Sequence, residues 1–233
     1  MAADPLPLPT VATATAKRAR SRVAAAPSAA LLAGPTGAGK TTLFHALTTG
    51  APPSLGTTPS MVENAGVANI GPRSIPLVDT PGHPRLRALA ASRAPSAKCI
   101  VFAVDAADFL PRKADAADAL AALLAPAAAA RRRLPVLLLA HKADTGASAH
   151  TAEFVRRRLE KEIDAALATA STLADDAGRG GGGGSTIAAL ARGGAPFTFA
   201  GLAAAGGPRV QCAAGAARVG DVAAVSDFLA KHG

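Results

Sequence analysis

The sequence is poor in aromatic and cysteine residues. It has no Trp, no Tyr, seven Phe and two Cys among 233 residues. Proteins that bind single-stranded nucleic acid stack bases on aromatic rings, so this scarcity argues against a direct nucleic-acid partner. Cys99 and Cys212 each lie in an apolar run, which is typical of reduced packing thiols rather than of a disulfide framework.

Long hydrophobic runs are also missing. A membrane-spanning helix needs about 20 mainly apolar residues. The best candidate, Val23–Gly39, contains two Pro and three Gly, and the N-terminus lacks the apolar core of a secretory signal. The sequence therefore predicts neither a spanning helix nor a signal peptide.

Positive charge is in excess. There are 25 Lys and Arg against 16 Asp and Glu, which gives a net charge of +9 and a pI near 10.5. Part of this charge is clustered in Lys17–Arg22 and in Arg131–Arg133. Such an excess suits an anionic partner, namely nucleic acid, a membrane surface or a phosphate-rich ligand. Without interleaved aromatics, solvated surface is the default interpretation of both clusters.

The length and a hydrophobic content of 49% indicate a globular chain with a sizeable core. Residues 1–24 are rich in Pro and Ala and then basic, so we predict a disordered basic N-terminal arm. Residues 25–233 are predicted to form one domain. The run Gly180–Gly184 predicts a flexible Gly-rich insertion over 174–194.

Short apolar runs alternate with helical segments. This alternation predicts the α/β class, with a mainly parallel sheet covered by helices on both faces. The predicted strands are Ala29–Ala33, Ser74–Val78, Cys99–Val104, Leu134–Ala140 and Val210–Ala213. The predicted helices are Thr41–Leu47, 112–124, 151–170 and a last one around Val222–Leu229.

A phosphate-binding motif follows the first predicted strand. Residues Gly34–Thr41 match G-x-x-x-x-G-K-[ST], and a helix is predicted directly after them. In such loops backbone N–H groups and the helix dipole bind phosphate oxygens, the Lys reaches the β- and γ-phosphates, and the final hydroxyl ligates Mg²⁺. The candidate phosphate contacts are Gly34, Pro35, Thr36, Gly37, Ala38, Gly39, Lys40, Thr41, Thr42 and, farther along, Gly82.

Asp79-Thr80-Pro81-Gly82 comes 39 residues after Lys40, at the end of a predicted strand. An Asp there would hold Mg²⁺ through water, and the Gly amide would contact a γ-phosphate. Alone, the segment would be an ordinary turn; downstream of a phosphate loop the metal role is favoured. His83 occupies the position where many GTPases place the Gln that orients the attacking water. It is a candidate catalytic residue, with an exposed loop residue as the alternative.

His141-Lys142-Ala143-Asp144 follows the strand Leu134–Ala140 and predicts a base-recognition loop. GTPases carry Asn-Lys-x-Asp here, in which the Asp accepts hydrogen bonds from the N1–H and N2–H of guanine and the Lys stem covers the base. His141 stands in the Asn position. Cys212, Ala213 and Ala214 end the last predicted strand, where a GTPase donates a backbone N–H to guanine O6.

Several segments together resemble one family, the beta subunit of the signal recognition particle receptor. Residues 79–87, DTPGHPRLR, resemble its D-x-P-G-H-x-x-L-R switch. Residues 100–106, IVFAVDA, with Phe109-Leu110-Pro111 resemble its fourth strand and the following turn. Residues 151–162 resemble the helix after its base-recognition loop. The likeness runs from about Ala29 to Lys231.

The resemblance implies an Arf-like P-loop NTPase G domain with a six-stranded sheet that binds GTP and Mg²⁺. It implies that GTP-bound switch regions hold the receptor alpha subunit at the cytosolic face of the endoplasmic reticulum membrane. Thr57 becomes the switch I threonine that ligates Mg²⁺, with Thr58 as the alternative. Family members usually carry a transmembrane helix before the G domain. This chain shows none, so we expect either a truncated chain or indirect membrane attachment through the alpha subunit and the basic arm.

Two other classes stay open. A stand-alone GTP-hydrolysing enzyme of the translation-factor or Arf type is one alternative, since translation factors share the D-T-P-G-H segment. The translation-factor class is expected to continue into a β-barrel domain, for which no room remains after residue 231. An ATP-dependent kinase or ATPase is the other, and Lys142-Ala143-Asp144 argues against it. The sequence leaves open whether GTP is hydrolysed, and we expect hydrolysis to be slow or partner-dependent.

Overall fold

Six strands form one sheet in a computed structural model of the chain, which describes residues 28–55, 57, 58, 60–176, 186–191 and 194–233. The strands are β1 (Ala30–Ala33), β2 (Asn64–Ile70), β3 (Arg73–Asp79), β4 (Ile100–Asp105), β5 (Pro135–His141) and β6 (Arg209–Gly215). Their order across the sheet is β2-β3-β1-β4-β5-β6.

Helices connect the strands and cover the sheet. The α-helices in the described part of the chain are α1 (Lys40–Thr49), α2 (Arg87–Arg93), α3 (Lys113–Ala129), α4 (Ala152–Asp176), α5 (Phe199–Ala204) and α6 (Ala223–His232). Short 3₁₀ turns lie at Pro84–Leu86, Ala94–Ser96, Leu110–Arg112, Ala143–Ser148, Thr186–Leu190 and Ala217–Val219.

One strand departs from the parallel order. β2 pairs antiparallel with β3, from Asn64 opposite Asp79 to Ile70 opposite Arg73, while the other neighbouring strands pair in parallel. A tight turn at Gly71, with φ 56°, joins the two strands. Sequence analysis missed β2 because an edge strand with alternating exposed positions carries a weak apolar signal.

Successive residues of the central strands point to opposite faces of the sheet and are buried on both. In β4, Ile100 and Phe102 belong to the core cluster that α2, α3 and α4 cover. Val101 and Ala103 belong to the cluster that α1 and α6 cover. Burial on both faces explains why these strands are continuous apolar runs in the sequence.

The predicted fold class is confirmed, because the sheet is six-stranded, mainly parallel and covered by helices on both faces. Each of the five predicted strands is present within two residues of its predicted ends. α3 runs beyond the predicted 112–124 to Ala129, with Pro126 inside the helix. Pro126 lacks a backbone donor, but Ala127 and Ala128 are buried, so packing offsets the missing hydrogen bond.

Both ends of the segment 174–194, predicted to be a flexible insertion, contain regular elements in the structure. α4 continues to Asp176, and the turn Thr186–Leu190 places Leu190 at 0% exposure. Leu190 packs in the core cluster with α3 and α4, and Ile187 packs against it. The glycine run suggested an insertion that continues to residue 194, but the apolar residues that follow the run pack in the core. Residues 177–185, 192 and 193 lie outside the described residues, as does the predicted arm 1–24.

The longest helix, α4, is amphipathic. Val155, Leu159 and Ile163 are fully buried along one face, while Arg156 and Glu160 form an ion pair at 2.8 Å. The apolar face of such a helix covers the sheet. Across the described ranges, none of the helices combines the length and apolar character that a membrane span needs.

Leu190→Ala tests whether the turn Thr186–Leu190 belongs to the core. We expect it to lower the free energy of unfolding by about 2–5 kcal/mol, the range for emptying a fully buried Leu site. The matched change Leu55→Ala removes the same atoms from a side chain that is 100% exposed, and it should cost less than about 0.5 kcal/mol. Denaturant titration followed by circular dichroism measures both. Equally small losses would show that the turn is not packed.

Candidate nucleotide-binding site

Two adjoining cavities open at the carboxyl end of the parallel strands. The larger, about 370 Å³, is lined by the loops after β1 and β3 and by the loop before β2. The smaller, about 290 Å³, is lined by the segments after β5 and β6. Gly39, Thr42, Lys142 and Arg218 line both, so the two cavities form one continuous site. This end of the sheet is where ligands bind in open parallel α/β folds.

The loop between β1 and α1 passes its neighbours so closely that glycine is required. At Gly34, with φ 135°, a Cβ atom would lie 2.1 Å from the carbonyl oxygen of Ala103. At Gly39, with φ 81°, it would lie 2.5 Å from the imidazole of His141. Gly39 caps α1 without a side-chain hydrogen bond, and the first turn of the helix has no acidic residue. The first N–H groups and the positive helix end therefore stay available to an anion.

Lys40 supplies a buried positive charge to the larger cavity. It is 6% exposed, and its Nζ donates a hydrogen bond to the carbonyl oxygen of Pro35 at 2.8 Å. Burial lowers the pKa of Lys40 to about 8, and nearby Asp79 opposes that shift. The ammonium form therefore still predominates at neutral pH. Gly82 lies close to the ammonium group of Lys40, since a Cβ atom at Gly82 would be 2.5 Å from Lys40 Nζ.

Asp79 ends β3 in a fully buried position beside Thr41. Thr41 Oγ1 donates to Asp79 Oδ2 at 2.8 Å, and Asn64 Nδ2 donates to the same oxygen at 3.1 Å. Burial raises the pKa of Asp79, and these two hydrogen bonds oppose that shift. Among the described residues, Oδ1 of Asp79 has no hydrogen-bond partner. An unpartnered buried carboxylate oxygen beside a hydroxyl fits a hard cation such as Mg²⁺.

The loop before β2 adds hydroxyl groups to the larger cavity. Thr57, Thr58 and Ser60 all line it. Thr57 Oγ1 lies 3.4 Å from Thr42 Oγ1, whereas Ser60 Oγ lies 3.2 Å from Thr41 Oγ1. Thr57 and Thr58 therefore both remain candidates for the switch I ligand. Sequence analysis missed Ser60, because one serine in a loop carries no motif signal.

His83 lies outside both cavities, although Gly82 lines the larger one. Its Nδ1 accepts a hydrogen bond from the backbone N–H of Arg85 at 3.2 Å and caps the turn Pro84–Leu86. A proline in the first position of such a turn favours an acceptor side chain just before it. This geometry does not support the water-positioning role that the sequence suggested for His83.

The smaller cavity is lined by residues that were predicted to recognise a base. Lys142 and Asp144 line it together with Thr145. Lys142 has left-handed backbone geometry, with φ 61°, and its Nζ donates to Asp105 Oδ2 at 2.5 Å. In the described part of the chain no hydrogen bond engages the Asp144 carboxylate, so both oxygens are free to accept from a ligand.

His141 joins two loops of the site through its ring nitrogens. It is 3% exposed, with Nδ1 2.8 Å from the carbonyl oxygen of Ala38, and Nε2 accepts the N–H of Ala217 at 3.0 Å. A carbonyl only accepts and an amide only donates, so the ring is neutral and carries its proton on Nδ1. Burial lowers the pKa of His141, while the hydrogen bond to Ala38 opposes that shift. Both ring nitrogens are engaged within the protein.

The predicted guanine contacts Cys212, Ala213 and Ala214 line neither of the two cavities. These residues lie inside β6, paired with Leu138–Ala140 of β5. β6 continues to Gly215 because its pairing with β5 extends as far as His141. The smaller cavity is lined instead by Ala216–Arg218, the residues that follow the true end of the strand.

Arg218 is a further positive group that sequence analysis missed. It is exposed and lines both cavities. Because the sequence placed the end of β6 too early, this residue fell outside the predicted site. With Lys40 and Lys142, Arg218 gives the site a basic character that suits a polyanionic ligand.

Fold and site together define a class of protein. A phosphate loop follows β1, and a Lys-x-Asp segment that lines the same continuous site follows β5. The buried Asp79 that ends β3 accepts a hydrogen bond from Thr41, which lines the larger cavity. The class with this arrangement on a mainly parallel sheet is the G domain of the P-loop NTPases, the fold of the small GTPases.

Comparison with known sequences identifies the family. The signal recognition particle receptor beta subunit family matches residues 26–205, and the chain belongs to it. The chain is similar to the signal recognition particle receptor subunit beta of Homo sapiens, at 33% identity over 147 residues, which cover 61% of this chain and 53% of that protein. The Mus musculus protein is 32% identical over 147 residues, covering 61% and 54%. The chain thus spans about half the length of these relatives.

Solved structures agree with this assignment. A structure described as the mammalian SRP receptor matches with a TM-score of 0.73 and 28% identity, covering 88% of this chain and all of the matched one. The Arl6 BBS3 small GTPase of Trypanosoma brucei, solved with the nucleotide analogue GppNp, matches with a TM-score of 0.53 and 16% identity, covering 88% and 99%. The second match shows the fold alone.

The neutral ring of His141 predicts a loss of stability in mild acid. Above about pH 6.5 the residue is neutral in both the folded and the unfolded chain. Below that pH the unfolded chain takes up a proton that the folded ring resists, because the folded pKa is lowered. The folded state should therefore lose up to about 1.4 kcal/mol over the first pH unit below 6.5.

Chemical denaturation at pH 7.5 and 5.5 measures this loss. The variant His141→Asn should show a smaller loss than the wild type, while His83→Asn, which keeps the buried histidine, should show the wild-type loss. A pH dependence that is unchanged in His141→Asn would contradict the neutral, doubly bonded ring.

Proposed function

We propose that this chain binds GTP together with Mg²⁺. The observation that carries the proposal is the continuity of the two cavities, with Lys40 facing the larger one and Asp144 lining the smaller one. The triphosphate would occupy the first cavity, against the phosphate loop and the amino end of α1. The base would occupy the second.

Oxygen ligands for the metal lie beside the phosphate loop. Thr41 and Asp79 would hold Mg²⁺, directly or through water, with Thr57 or Thr58 supplied by the loop before β2. Across the described residues there is no cluster of three or more His, Cys, Asp or Glu that could hold an ion alone. Phosphate oxygens and water would therefore complete the coordination. When bound, Mg²⁺ neutralises charge on the β- and γ-phosphates.

Guanine is the base that suits the smaller cavity. The free carboxylate of Asp144 offers two acceptor oxygens, which match the adjacent N1–H and N2–H donors of guanine. Adenine presents an acceptor at N1 and would leave the carboxylate facing a lone pair. The stem of Lys142, tethered through Nζ to Asp105, lines the same cavity.

We propose that GTP binding enables the chain to hold the signal recognition particle receptor alpha subunit at the cytosolic face of the endoplasmic reticulum membrane. Membership of the beta subunit family supports this role. In this receptor role, GTP would act mainly as a structural ligand. With His83 outside the cavity, the described site offers no placed group to orient a hydrolytic water, so hydrolysis by the chain alone is not part of the proposal.

An apolar surface beside the nucleotide site supports a partner that senses the nucleotide. We define the switch patch as Leu55, Met61, Val62 and Val67. Their exposures are 100%, 64%, 70% and 36%, although all four are large hydrophobic residues. The first three flank residues 57–60 in the chain, of which Thr57, Thr58 and Ser60 line the phosphate cavity. A ligand that contacts this loop would therefore set the position of Leu55, Met61 and Val62.

Asp144→Asn tests guanine recognition. The change replaces one acceptor oxygen with an NH₂ donor, which would oppose the amino group of guanine. Unpaired polar groups of this kind cost about 1–3 kcal/mol, or about ten- to a hundredfold in affinity. Xanthine carries an oxygen at that position, so the variant should prefer xanthosine triphosphate to GTP.

Competitive displacement of labelled nucleotide measures this preference. The control variant Asp118→Asn removes an exposed carboxylate on α3, away from both cavities, and should keep the preference for GTP. If Asp144→Asn also kept that preference, Asp144 would not read the base.

A pull-down with the N-terminal domain of the alpha subunit tests the receptor role. We expect the GTP-loaded chain to recover this domain at least tenfold better than the GDP-loaded chain. Met61→Ser/Val62→Ser should lower recovery by at least about tenfold, because burying each side chain in an interface is worth about 1.5–3 kcal/mol.

A matched double variant separates the switch patch from apolar surface in general. Leu110→Ser/Phe154→Ser changes two other exposed hydrophobic residues, 38% and 40% exposed, outside the switch patch. It should leave recovery unchanged. Equal recovery with GTP and GDP would contradict a nucleotide-controlled interface.

A further inference from the structure

A band of basic side chains follows the amino-terminal edge of the parallel strands, at the end opposite to the nucleotide site. We define the cationic edge as Lys98, Arg131, Arg133 and Arg209, all of which are exposed. Lys98 lies just before β4, Arg131 and Arg133 lie just before β5, and Arg209 begins β6. Since these strands are parallel neighbours, the four residues share one edge of the sheet.

Backbone contacts fix these residues side by side. Lys98 N–H donates to the carbonyl oxygen of Ala29 at 3.0 Å, and Arg209 N–H donates to that of Leu134 at 2.9 Å. Between them, the guanidinium of Arg132 donates to the carbonyl oxygens of Pro95 and Ala97, which ties the turn before β4 to the turn before β5. From β4 to β6 the edge spans about 10 Å, because neighbouring strands lie about 4.8 Å apart.

Most charges of the cationic edge have no local counter-ion. In the ranges that the structure describes, Arg131, Arg133 and Arg209 form no ion pair, whereas Lys98 Nζ lies 3.5 Å from an oxygen of Gly233, the last residue of the sequence. Basic residues elsewhere do pair with carboxylates, such as Lys113 with Glu162 and Arg156 with Glu160. The edge therefore concentrates part of the net charge of +9 of the chain.

A further basic cluster precedes β1 in the sequence. Lys17, Arg18, Arg20 and Arg22 come shortly before β1, whose first residue, Ala30, lies at the same end of the sheet. The cationic edge itself has no Phe, and the exposed large hydrophobic residues of the described chain all lie elsewhere. Without stacking rings or apolar anchors, the edge has neither the platform of a single-stranded RNA site nor the centre of a protein interface.

We propose that the cationic edge lies on the anionic phospholipid headgroups of a bilayer. A row of exposed basic side chains matches a layer of lipid phosphates, to which each nearby Lys or Arg adds about fivefold in affinity. In this orientation the nucleotide site and the switch patch face away from the bilayer. The attraction is electrostatic, so it should weaken steeply with salt, since the Debye length is about 10 Å at 0.1 M.

Vesicle flotation with the full chain tests the proposal. The vesicles contain phosphatidylcholine alone or phosphatidylcholine with about 30 mol% phosphatidylserine, at about 50 mM or about 300 mM salt. We expect the wild type to float with the phosphatidylserine vesicles at low salt only. Arg131→Gln/Arg133→Gln/Arg209→Gln should weaken this binding about a hundredfold, by three steps of about fivefold.

A control variant with the same net charge separates this surface from charge in general. Arg157→Gln/Arg158→Gln/Lys161→Gln removes three positive charges from α4 and should weaken vesicle binding much less. Binding to single-stranded RNA, measured in parallel, should be no stronger for the wild type than for the edge variant.

Three results would each overturn the proposal. The wild type would fail to bind the anionic vesicles, or both triple variants would lose binding equally, or the edge variant would lose RNA binding while keeping vesicle binding. Affinity for labelled GTP, measured on the same samples, should be the same in all three proteins, because none of the substituted residues lines the cavities. The vesicle test of the cationic edge is therefore independent of GTP binding.

Discussion

The close approach of the phosphate loop to its neighbours is the constraint on which the site depends. Gly34 contacts the backbone of β4, Gly39 contacts the ring of His141, and Gly82 contacts Lys40, each at a distance that excludes a Cβ atom. These contacts bring the ends of β1, β3, β4 and β5 to one point. A loop shaped in this way presents backbone N–H groups and a buried ammonium to the same volume, which is what a phosphate chain requires.

His141 extends that constraint to the base side of the site. Its two hydrogen bonds connect the phosphate loop at Ala38 with the loop after β6 at Ala217. A histidine in this position is therefore compatible with a rigid site, and the carboxylate of Asp144 remains available for the base. His141 replaces the usual Asn as the residue that connects the loops. Asp144, the residue expected to recognise guanine, keeps its position in the segment.

The sequence was informative where the chemistry demands fixed spacing. The phosphate motif, Asp79 and the Lys142-Ala143-Asp144 segment could each be singled out, because a glycine loop, a strand-end Asp and a Lys-x-Asp pattern in this order are typical of a nucleotide site. The apolar runs that form β1, β4 and β5 could also be predicted, because strands that are buried on both faces of a sheet must be continuously apolar.

Features set by tertiary contacts could not be predicted in this way. β2 is defined by pairing with β3, and its own residues alternate only weakly. The end of β6 is set by its register against β5, so Ala216–Arg218 line the smaller cavity and Cys212–Ala214 do not. Leu190 lies beyond a glycine run, so only its burial reveals that it belongs to the core.

The two ends of the sheet differ in what they offer. The carboxyl end holds the cavities and the switch patch, where a nucleotide and a protein partner would meet. The amino end carries the cationic edge, which the nucleotide site does not use. Separation by the length of the strands allows both ends to be occupied at once.

Competition between GTP and ATP for the site tests the central claim most directly. The account predicts that unlabelled GTP displaces labelled GTP at a concentration at least about tenfold lower than ATP, since the Asp144 carboxylate would pair with guanine and not with adenine. It also predicts that chelation of Mg²⁺ weakens GTP binding, because Asp79 and Thr41 would lose the ion that links them to the phosphates. Equal displacement by ATP, or binding of GTP that does not respond to Mg²⁺, would contradict the account.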